Sequence, residues 1–251
     1  MKTIKTTLLF VLFLCFSISL TQAQQAYLVH QDNVKPSKVM EYEKIAKEFN
    51  EASKKHNVQA TWYVAMTNGF QYYYLTPIEN MAELDKRPFA DMAKAMGDDF
   101  GGMFDRFDQC YSSHGDYIIV QDNELSYMPE GKTTAPEDEN YRKWFYMYYS
   151  PKNAEKIKAG MQAVKAYFKE KNSKEYYRVY KNGFGQMKNY YLVSISAKDE
   201  VDSATKAKAN QDVLGSFDER WAVFSKVMDY TSKTEEFSGE MRPDLYYMPK
   251  E

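Results

Sequence analysis

Two stretches of the chain repeat the same run of aromatic and apolar residues around an Asn-Gly pair. Residues 62–70 end in Asn-Gly-Phe and continue to Tyr-Tyr-Leu at 73–75, and residues 176–184 end in the same tripeptide and continue to Tyr-Tyr-Leu at 190–192. An Asn-Gly pair between two such runs is typical of a hairpin with a type I′ turn, because both turn residues must adopt positive φ. The repeat predicts an internal duplication of one structural unit.

An amphipathic helix precedes each hairpin. Apolar residues recur at spacings of four and three between residues 39 and 56, and the same spacing returns between 157 and 168. Longer helical regions are predicted at 79–113 and 198–230, the first of them interrupted or kinked at Gly101-Gly102. The duplication therefore extends well beyond the hairpins.

Shorter apolar runs complete each unit. A strand at 26–31 opens the first unit, and strands at 125–129 and 245–249 close the two units. The resulting order of strand, helix, strand, strand, helix, strand is that of a ferredoxin-like unit, an α+β arrangement with helices on one face of an antiparallel sheet. The predicted segments are a signal peptide at 1–23, a first ferredoxin-like unit at 24–129, a linker at 130–141 and a second ferredoxin-like unit at 142–251.

The N-terminal segment has the features of a secretory signal. Lys2 and Lys5 precede an apolar run from 8 to 20, and small residues follow up to Ala23. The run is shorter than the roughly 20 residues of a membrane-spanning helix. We expect cleavage near Ala23 and export to the periplasm or the medium, without stable membrane insertion.

Composition narrows the function classes. Removing the signal takes two of the 33 basic residues and leaves 31 against 35 acidic ones, a net charge of −4 without a basic block, which argues against nucleic acid as a partner. Only Cys110 remains of the two cysteines, so no internal disulfide can form. The 22 tyrosines are unusual, and their rings with polar tips suit the walls of a partly wet pocket.

Both faces of each predicted sheet are apolar. With a two-residue turn, Trp62 and Val64 share one face with Tyr73, and the opposite face is also aromatic. The helices cover only one face, so the other needs a second apolar surface. We therefore predict two antiparallel sheets packed face to face as a pseudo-dimeric α/β barrel with the helices outside.

Arg178 helps to choose between the faces. It stands where the first unit has Val64, and burying an unpaired guanidinium beneath helices would be costly. We therefore assign the face with Trp62 and Arg178 to the space between the sheets, where a guanidinium among tyrosines suits a carboxylate or an enolate. His30 either faces this space or is partly exposed. The predicted ligand-binding residues are Arg178, Tyr176, Tyr180, Tyr190, Trp62, Tyr73 and His30.

No catalytic or metal-binding motif is recognisable. The three histidines, His30, His56 and His114, are far apart in sequence, so no metal site is predicted. His56 is placed at a helix end and His114 before a turn, both ordinary structural positions. No nucleophile and base occur at a recognisable spacing, so no catalytic residue is assigned.

The repeated hairpin and the element order resemble the dimeric α/β barrel superfamily in its tandem, single-chain form. That superfamily includes cofactor-free monooxygenases and oxidases, haem-dependent members and ligand-binding proteins, with sites between helices and strands or within the barrel. No residue set here matches a particular member, so no site residue is carried over. The cofactor is left unknown, with none expected.

Three functions remain open. The first is an exported protein that binds a small, partly apolar ligand in a tyrosine-lined pocket, without catalysis. The second, which the resemblance implies, is a cofactor-free monooxygenase or oxidase. The third is an interaction module without a ligand. The sequence predicts a pseudo-dimer within one chain and leaves further oligomerisation open.

Overall fold

The computed structural model describes residues 24–129 and 138–250, so the predicted signal peptide and most of the predicted linker lie outside the described residues. The first unit contains β1 (Ala26–Val34), α1 (Val39–Lys55), β2 (Tyr63–Thr67), β3 (Gln71–Ile78), α2 (Ala90–Met96), α3 (Asp98–Asp108) and β4 (Tyr111–Gln121). The second contains β5 (Tyr141–Tyr149), α4 (Ala154–Glu170), β6 (Tyr177–Asn182), β7 (Asn189–Ala197), α5 (Glu200–Leu214), α6 (Phe217–Met228) and β8 (Lys233–Met241). The predicted ferredoxin-like order is confirmed in both units.

The eight strands form one closed antiparallel barrel in the order β1-β3-β2-β8-β5-β7-β6-β4. The prediction of two sheets packed face to face is therefore wrong, because the four-stranded sheets join edge to edge. Strand β2 pairs with β8, and β4 pairs with β6. Closure gives hydrogen-bond partners to the backbone groups that an open sheet leaves unpaired along its edges. The second apolar face that the sequence predicts becomes the inside of the barrel.

The seam between β2 and β8 depends on a close backbone approach at Gly239. Gly239 lies opposite Thr67, and a Cβ atom there would sit only 2.7 Å from the Cα of Thr67. It would also contact the carbonyl oxygen of Met66. Backbone atoms cannot move aside as a flexible side chain can, so a side chain at this position would force the strands apart.

The first hairpin has a different turn from the predicted one. Phe70 has a φ of 62°, and Met66 pairs with Tyr72, so three residues rather than two connect the strands. A three-residue loop that ends in a left-handed residue is the next most common hairpin type after the two-residue turns. The extra residue shifts the pairing by one and moves β3 side chains to the opposite faces, so the predicted facing of Trp62 with Tyr73 is wrong.

Each unit packs its helices against the outer face of its own sheet. In the first unit Tyr42 and Ile45 of α1 are fully buried in one cluster with Val64 and Tyr72. In the second unit Ile157 and Val164 of α4 lie in one cluster with residues of β6 and β7. The prediction of helices outside the barrel is confirmed. Over residues 24–129 and 138–250, no helix combines the length and apolar character needed to cross a membrane.

The closing strands lie earlier in the chain than predicted. Strands β4 and β8 end at Gln121 and Met241, whereas 125–129 and 245–249 contribute only isolated bridges at Tyr127 and Tyr247. The first half of β4 has exposed polar side chains, so it lacks the apolar alternation by which a strand is recognised. The predicted helix at 79–113 breaks at Gly97, with a φ of 58°, rather than at Gly101-Gly102.

We expect Gly239→Ala to lower the free energy of unfolding by about 1–3 kcal/mol, because the added methyl group overpacks the seam. The matched control is Gly102→Ala in α3, where a Cβ would meet nothing within 4 Å. There the change should stabilise the protein by about 0.5–1 kcal/mol, since alanine favours a helix. Urea denaturation measures both changes, and equal effects of the two substitutions would contradict the close approach at the seam.

Candidate functional site

Aromatic side chains fill the middle of the barrel. Tyr73, Tyr117 and Tyr146 line a cavity of only about 60 Å³. The ring of Tyr190 lies 5.2 Å from that of Tyr146. Burial raises the pKa of Tyr73 to about 12, so its phenol stays protonated at neutral pH. Small-molecule sites usually have about 300–1,000 Å³, so this interior is packed core rather than a ligand pocket.

One end of the barrel holds a second small cavity with two arginines. Arg142 and Arg178 line about 140 Å³ together with Tyr176 and Tyr180. The prediction that Arg178 lies inside with these tyrosines agrees with the structure. Sequence patterns missed Arg142, which β5 brings to the same end. Burial lowers the pKa of the Arg142 guanidinium, and the positive charge of Arg178 acts in the same direction.

Two predicted ligand-binding residues lie outside the barrel. Trp62 is buried beneath the first-unit helices, where its ring stacks on that of Tyr247 at 4.4 Å. The assignment of Trp62 to the space between the sheets is therefore wrong, because the repeats align one residue further along: Trp62 bridges Tyr247 as Tyr177 bridges Tyr127. Arg178 therefore corresponds to Tyr63 and not to Val64. His30 lies on the outer face of β1, within hydrogen-bond distance of Asp116.

A larger space than these two lies outside the barrel in the second unit, between its sheet and its helices. This cleft, hereafter the second-unit cleft, has a volume of about 490 Å³, within the range of small-molecule sites. Its walls are largely apolar and come from β5, β7, α4, α5 and α6. The lining includes Met147, Val193, Met161, Ala207, Leu214 and Phe224.

Differences between the repeats explain why the cleft is open. In the first unit Phe49 fills this space, and its ring centroid lies 5.3 Å from that of Phe89 and 5.8 Å from that of Phe104. The helices Val39–Lys55 and Ala154–Glu170 have equal lengths, and their alignment places the smaller Val164, which lines the cleft, where the first unit has Phe49. The sequence offset places Trp221 where the first unit has Phe104. Trp221 is 51% exposed, so it does not fill the space beneath the helix.

A buried hydroxyl in the second-unit cleft has no partner. Tyr177 of β6 is 4% exposed, and its hydroxyl forms no hydrogen bond with any described residue. Burial raises the pKa of this phenol well above its usual range, so it is a neutral donor. An unsatisfied buried hydroxyl costs free energy that a ligand with an acceptor atom would recover.

A carboxyl group lies in the same cleft. Glu175 accepts a hydrogen bond of 2.5 Å from the side-chain amide of Asn210, whose oxygen accepts one of 2.6 Å from Ser173. Burial raises the pKa of Glu175, while Asn210 and Lys206 oppose the shift. Arg220 also lines the cleft, but its guanidinium donates to the carbonyl oxygens of the loop between α5 and α6.

A third group of polar side chains lies on the outer face of β1 and β4. Strand pairing places His30 opposite Asp116 and Asp32 opposite His114. Burial opposes a charge on His30, but hydrogen bonds and charge interactions with the two aspartates outweigh it and raise its pKa to about 9. No local spacing in the sequence reveals this group, because the strand register alone brings residues 84 positions apart together.

We expect Tyr177→Phe to raise the free energy of unfolding of the ligand-free protein by about 1 kcal/mol, because it removes an unsatisfied buried hydroxyl. Tyr247→Phe is the matched control, since that hydroxyl donates to the carbonyl oxygens of Ser53 and Val58 at 3.1 and 2.9 Å. Its loss should cost about 1–3 kcal/mol. Thermal unfolding checks both variants, and a similar loss of stability in Tyr177→Phe would indicate a hidden partner.

No model of a known protein family matches the sequence, and no curated protein matches it significantly. An anthrone oxidase-like protein superposes on the structure with a TM-score of 0.57 at 11% identity, covering 90% of this chain and 94% of its own. A proposed monooxygenase from Lactobacillus acidophilus NCFM gives 0.53 at 9%, covering 90% and 96%. Chlorite dismutase from Candidatus Nitrospira defluvii gives 0.52 at 10%, covering 90% and 94%.

At identities this low, the superpositions establish the fold, and the activity has to be argued from the site. Monooxygenase-like and chlorite dismutase-like proteins of this kind belong to the dimeric α/β barrel superfamily. In the present chain one polypeptide supplies both ferredoxin-like units of the barrel. The chain has the fold of the dimeric α/β barrel superfamily.

Proposed function

We propose that the protein binds a small, largely apolar molecule with at least one polar atom in the second-unit cleft. The observation that carries the proposal is an apolar space of about 490 Å³ lined in part by Tyr177, whose buried hydroxyl has no partner among the described residues. The ligand would remove apolar surface from water and accept a hydrogen bond from Tyr177. Because the N-terminal segment has the features of a secretory signal, we further propose that binding occurs outside the cytoplasm.

The proposed site lies outside the barrel, whereas the sequence predicted a site in the barrel interior. The cavities at Tyr73 and at Arg178 have about 60 and 140 Å³, less than most small-molecule sites require. The cavity between Arg142 and Arg178 is large enough for a small anion only. Tyrosine still contributes to the proposed site, through Tyr177 rather than through the residues predicted from the sequence.

Haem deserves a separate comparison, because the superfamily includes haem-dependent members. Haem iron in proteins is usually held by histidine, by a cysteine thiolate, or by tyrosine in catalase-like sites. None of the three histidines lines the second-unit cleft, and Cys110 is buried in the first-unit core. The residues of the cleft do not fit a haem bound through histidine or cysteine. We assign no role to haem, and the expectation of no cofactor remains a prediction.

Fluorescence titration with 1,8-dihydroxyanthraquinone, a flat molecule with phenol and carbonyl groups, tests the proposed site. We expect saturable binding that Ala207→Trp weakens more than ~10-fold, because the indole would occupy the cleft at a position that α5 presents to it. Tyr177→Phe should weaken binding ~5-fold, the equivalent of one hydrogen bond of about 1 kcal/mol.

The matched control is Ala209→Trp, an exposed position on the same helix that is not among the lining residues. It should bind the dye like the unmodified protein. Equal affinities of Ala207→Trp and the unmodified protein would contradict the proposed location. Native mass spectrometry of protein purified from its own compartment would identify a ligand that stays bound.

A second candidate function is proton abstraction, as a cofactor-free oxidase requires. The observation that favours it is the partly buried carboxyl of Glu175 in the lining of the cleft, where burial raises its pKa and makes it a stronger base than an exposed carboxylate. Glu175 would take a proton from a phenol or from a carbon next to a carbonyl group. Molecular oxygen would then accept electrons from the resulting anion. The similarity to an anthrone oxidase-like protein and to a proposed monooxygenase supports this reading only at the level of fold.

Oxygen consumption with anthrone as the substrate tests the second candidate. If Glu175 is the base, Glu175→Gln should abolish oxygen uptake while the dye still binds, because the amide keeps the shape and loses the basic oxygen. Uptake that is equal with and without protein would leave binding as the only function of the cleft.

A further inference from the structure

We infer that His30, Asp32 and His114 form a binding site for a divalent transition-metal ion, with Zn²⁺ as the expected ion, on the outer face of the barrel. One ligand atom from each of the three side chains lies within 4.8 Å of the others. Two imidazoles with one carboxylate, leaving a position open for water, form a recurrent donor set for such metals. The site lies on the first unit, away from the second-unit cleft, and is independent of the proposed ligand.

The strand register builds the site. Antiparallel pairing places Asp32 directly opposite His114, with His30 two residues earlier on the same face of β1. Because side chains alternate across a strand, all three project to the outer side of the barrel. Strand β1 is hydrogen-bonded to β3 on one side and to β4 on the other, so the backbone holds the ligands at a fixed spacing.

The buried carboxylate of Asp32 points to a missing ligand. Its side chain is 5% exposed, and its Oδ1 atom receives no hydrogen bond of acceptable geometry. His30 Nε2 lies 3.1 Å from that oxygen. Nitrogen and oxygen ligands of one zinc ion are separated by about 3 Å, because each lies about 2 Å from the metal. A metal between them would coordinate both atoms, whereas the contact with His30 gives Asp32 Oδ1 an ion pair without a well-formed hydrogen bond.

Further contacts hold the ligands in place. The hydroxyl of Tyr42 donates a hydrogen bond of 2.5 Å to the other carboxylate oxygen of Asp32. Asp116 lies 2.8 Å from Nδ1 of His30 and would accept its proton, which leaves Nε2 free for the metal. Carboxylates commonly orient metal-binding histidines in this way. The ring of His114 stacks on Tyr111, with centroids 5.0 Å apart.

An ion-pair network without metal is the competing explanation. A protonated His30 between Asp32 and Asp116 would also balance the two carboxylates. His114 distinguishes the two explanations, because both ion pairs involve His30 and not His114. A bound metal would replace the His30 proton as the positive charge and would require His114 as its third ligand.

Visible absorption of Co²⁺, used as a spectroscopic substitute for Zn²⁺, tests the site in tag-free protein. We expect saturable binding in the micromolar range or tighter, displacement by Zn²⁺, and no displacement by Mg²⁺ or Ca²⁺, which prefer all-oxygen sites. His114→Ala should weaken binding at least ~10-fold, and Asp116→Asn ~10-fold as well, because it orients His30.

His56→Ala is the matched control, since it removes the remaining histidine at the end of α1 and should leave Co²⁺ binding unchanged. His114 is exposed, so its replacement is compatible with folding even if Asp32→Asn is not. Co²⁺ binding that is equally strong in His114→Ala would overturn the inference. So would binding too weak to saturate, or displacement by Ca²⁺.

Discussion

The edge-to-edge pairing of the two sheets, through β2 with β8 and β4 with β6, is the constraint on which the rest of the structure depends. Each unit alone would expose two strand edges and one apolar face. Joining the edges satisfies the backbone groups and encloses the apolar faces in one step. The close approach at Gly239 belongs to this seam. Closure also determines which side chains can meet a ligand, because it places one face of every strand inside.

The enclosed face is too crowded to serve as a ligand pocket. Tyrosines from both units meet inside the barrel, and the space left between them is small. The outer faces then become the available surfaces, and the two repeats have diverged there. Phe49 and its aromatic neighbours fill the first unit, whereas the smaller Val164 at the corresponding position leaves room in the second. Asymmetry between the copies therefore matters most at the helices.

Much of the architecture could be predicted from the sequence, because repetition and periodicity are local signals. The repeat, the element order and the outward position of the helices follow from residues close together in the chain. The turn geometry could not be predicted from the sequence. Asn-Gly alone suggests a two-residue loop, but Phe70 adopts a left-handed conformation and adds a third residue. The assignment of Trp62 failed because the alignment of the repeats was one residue off in this strand, where Trp62 corresponds to Tyr177. Strand β4 was missed because its polar half faces solvent.

The candidate sites were less predictable, because they depend on contacts between distant residues. Arg178 was placed correctly with its tyrosines, but nothing in the sequence links it to Arg142. The unpartnered hydroxyl of Tyr177 is a property of the packed structure, since its sequence context resembles that of other strand tyrosines. His30 and His114 likewise come together only through the register of β1 and β4.

A crystal structure of the protein soaked with 1,8-dihydroxyanthraquinone tests the central claim most directly, namely that closure leaves the ligand site outside the barrel. The account predicts electron density for the dye between β7 and α5, with an oxygen atom within hydrogen-bond distance of the Tyr177 hydroxyl. Density inside the barrel among Tyr73, Tyr146 and Tyr190 would contradict it.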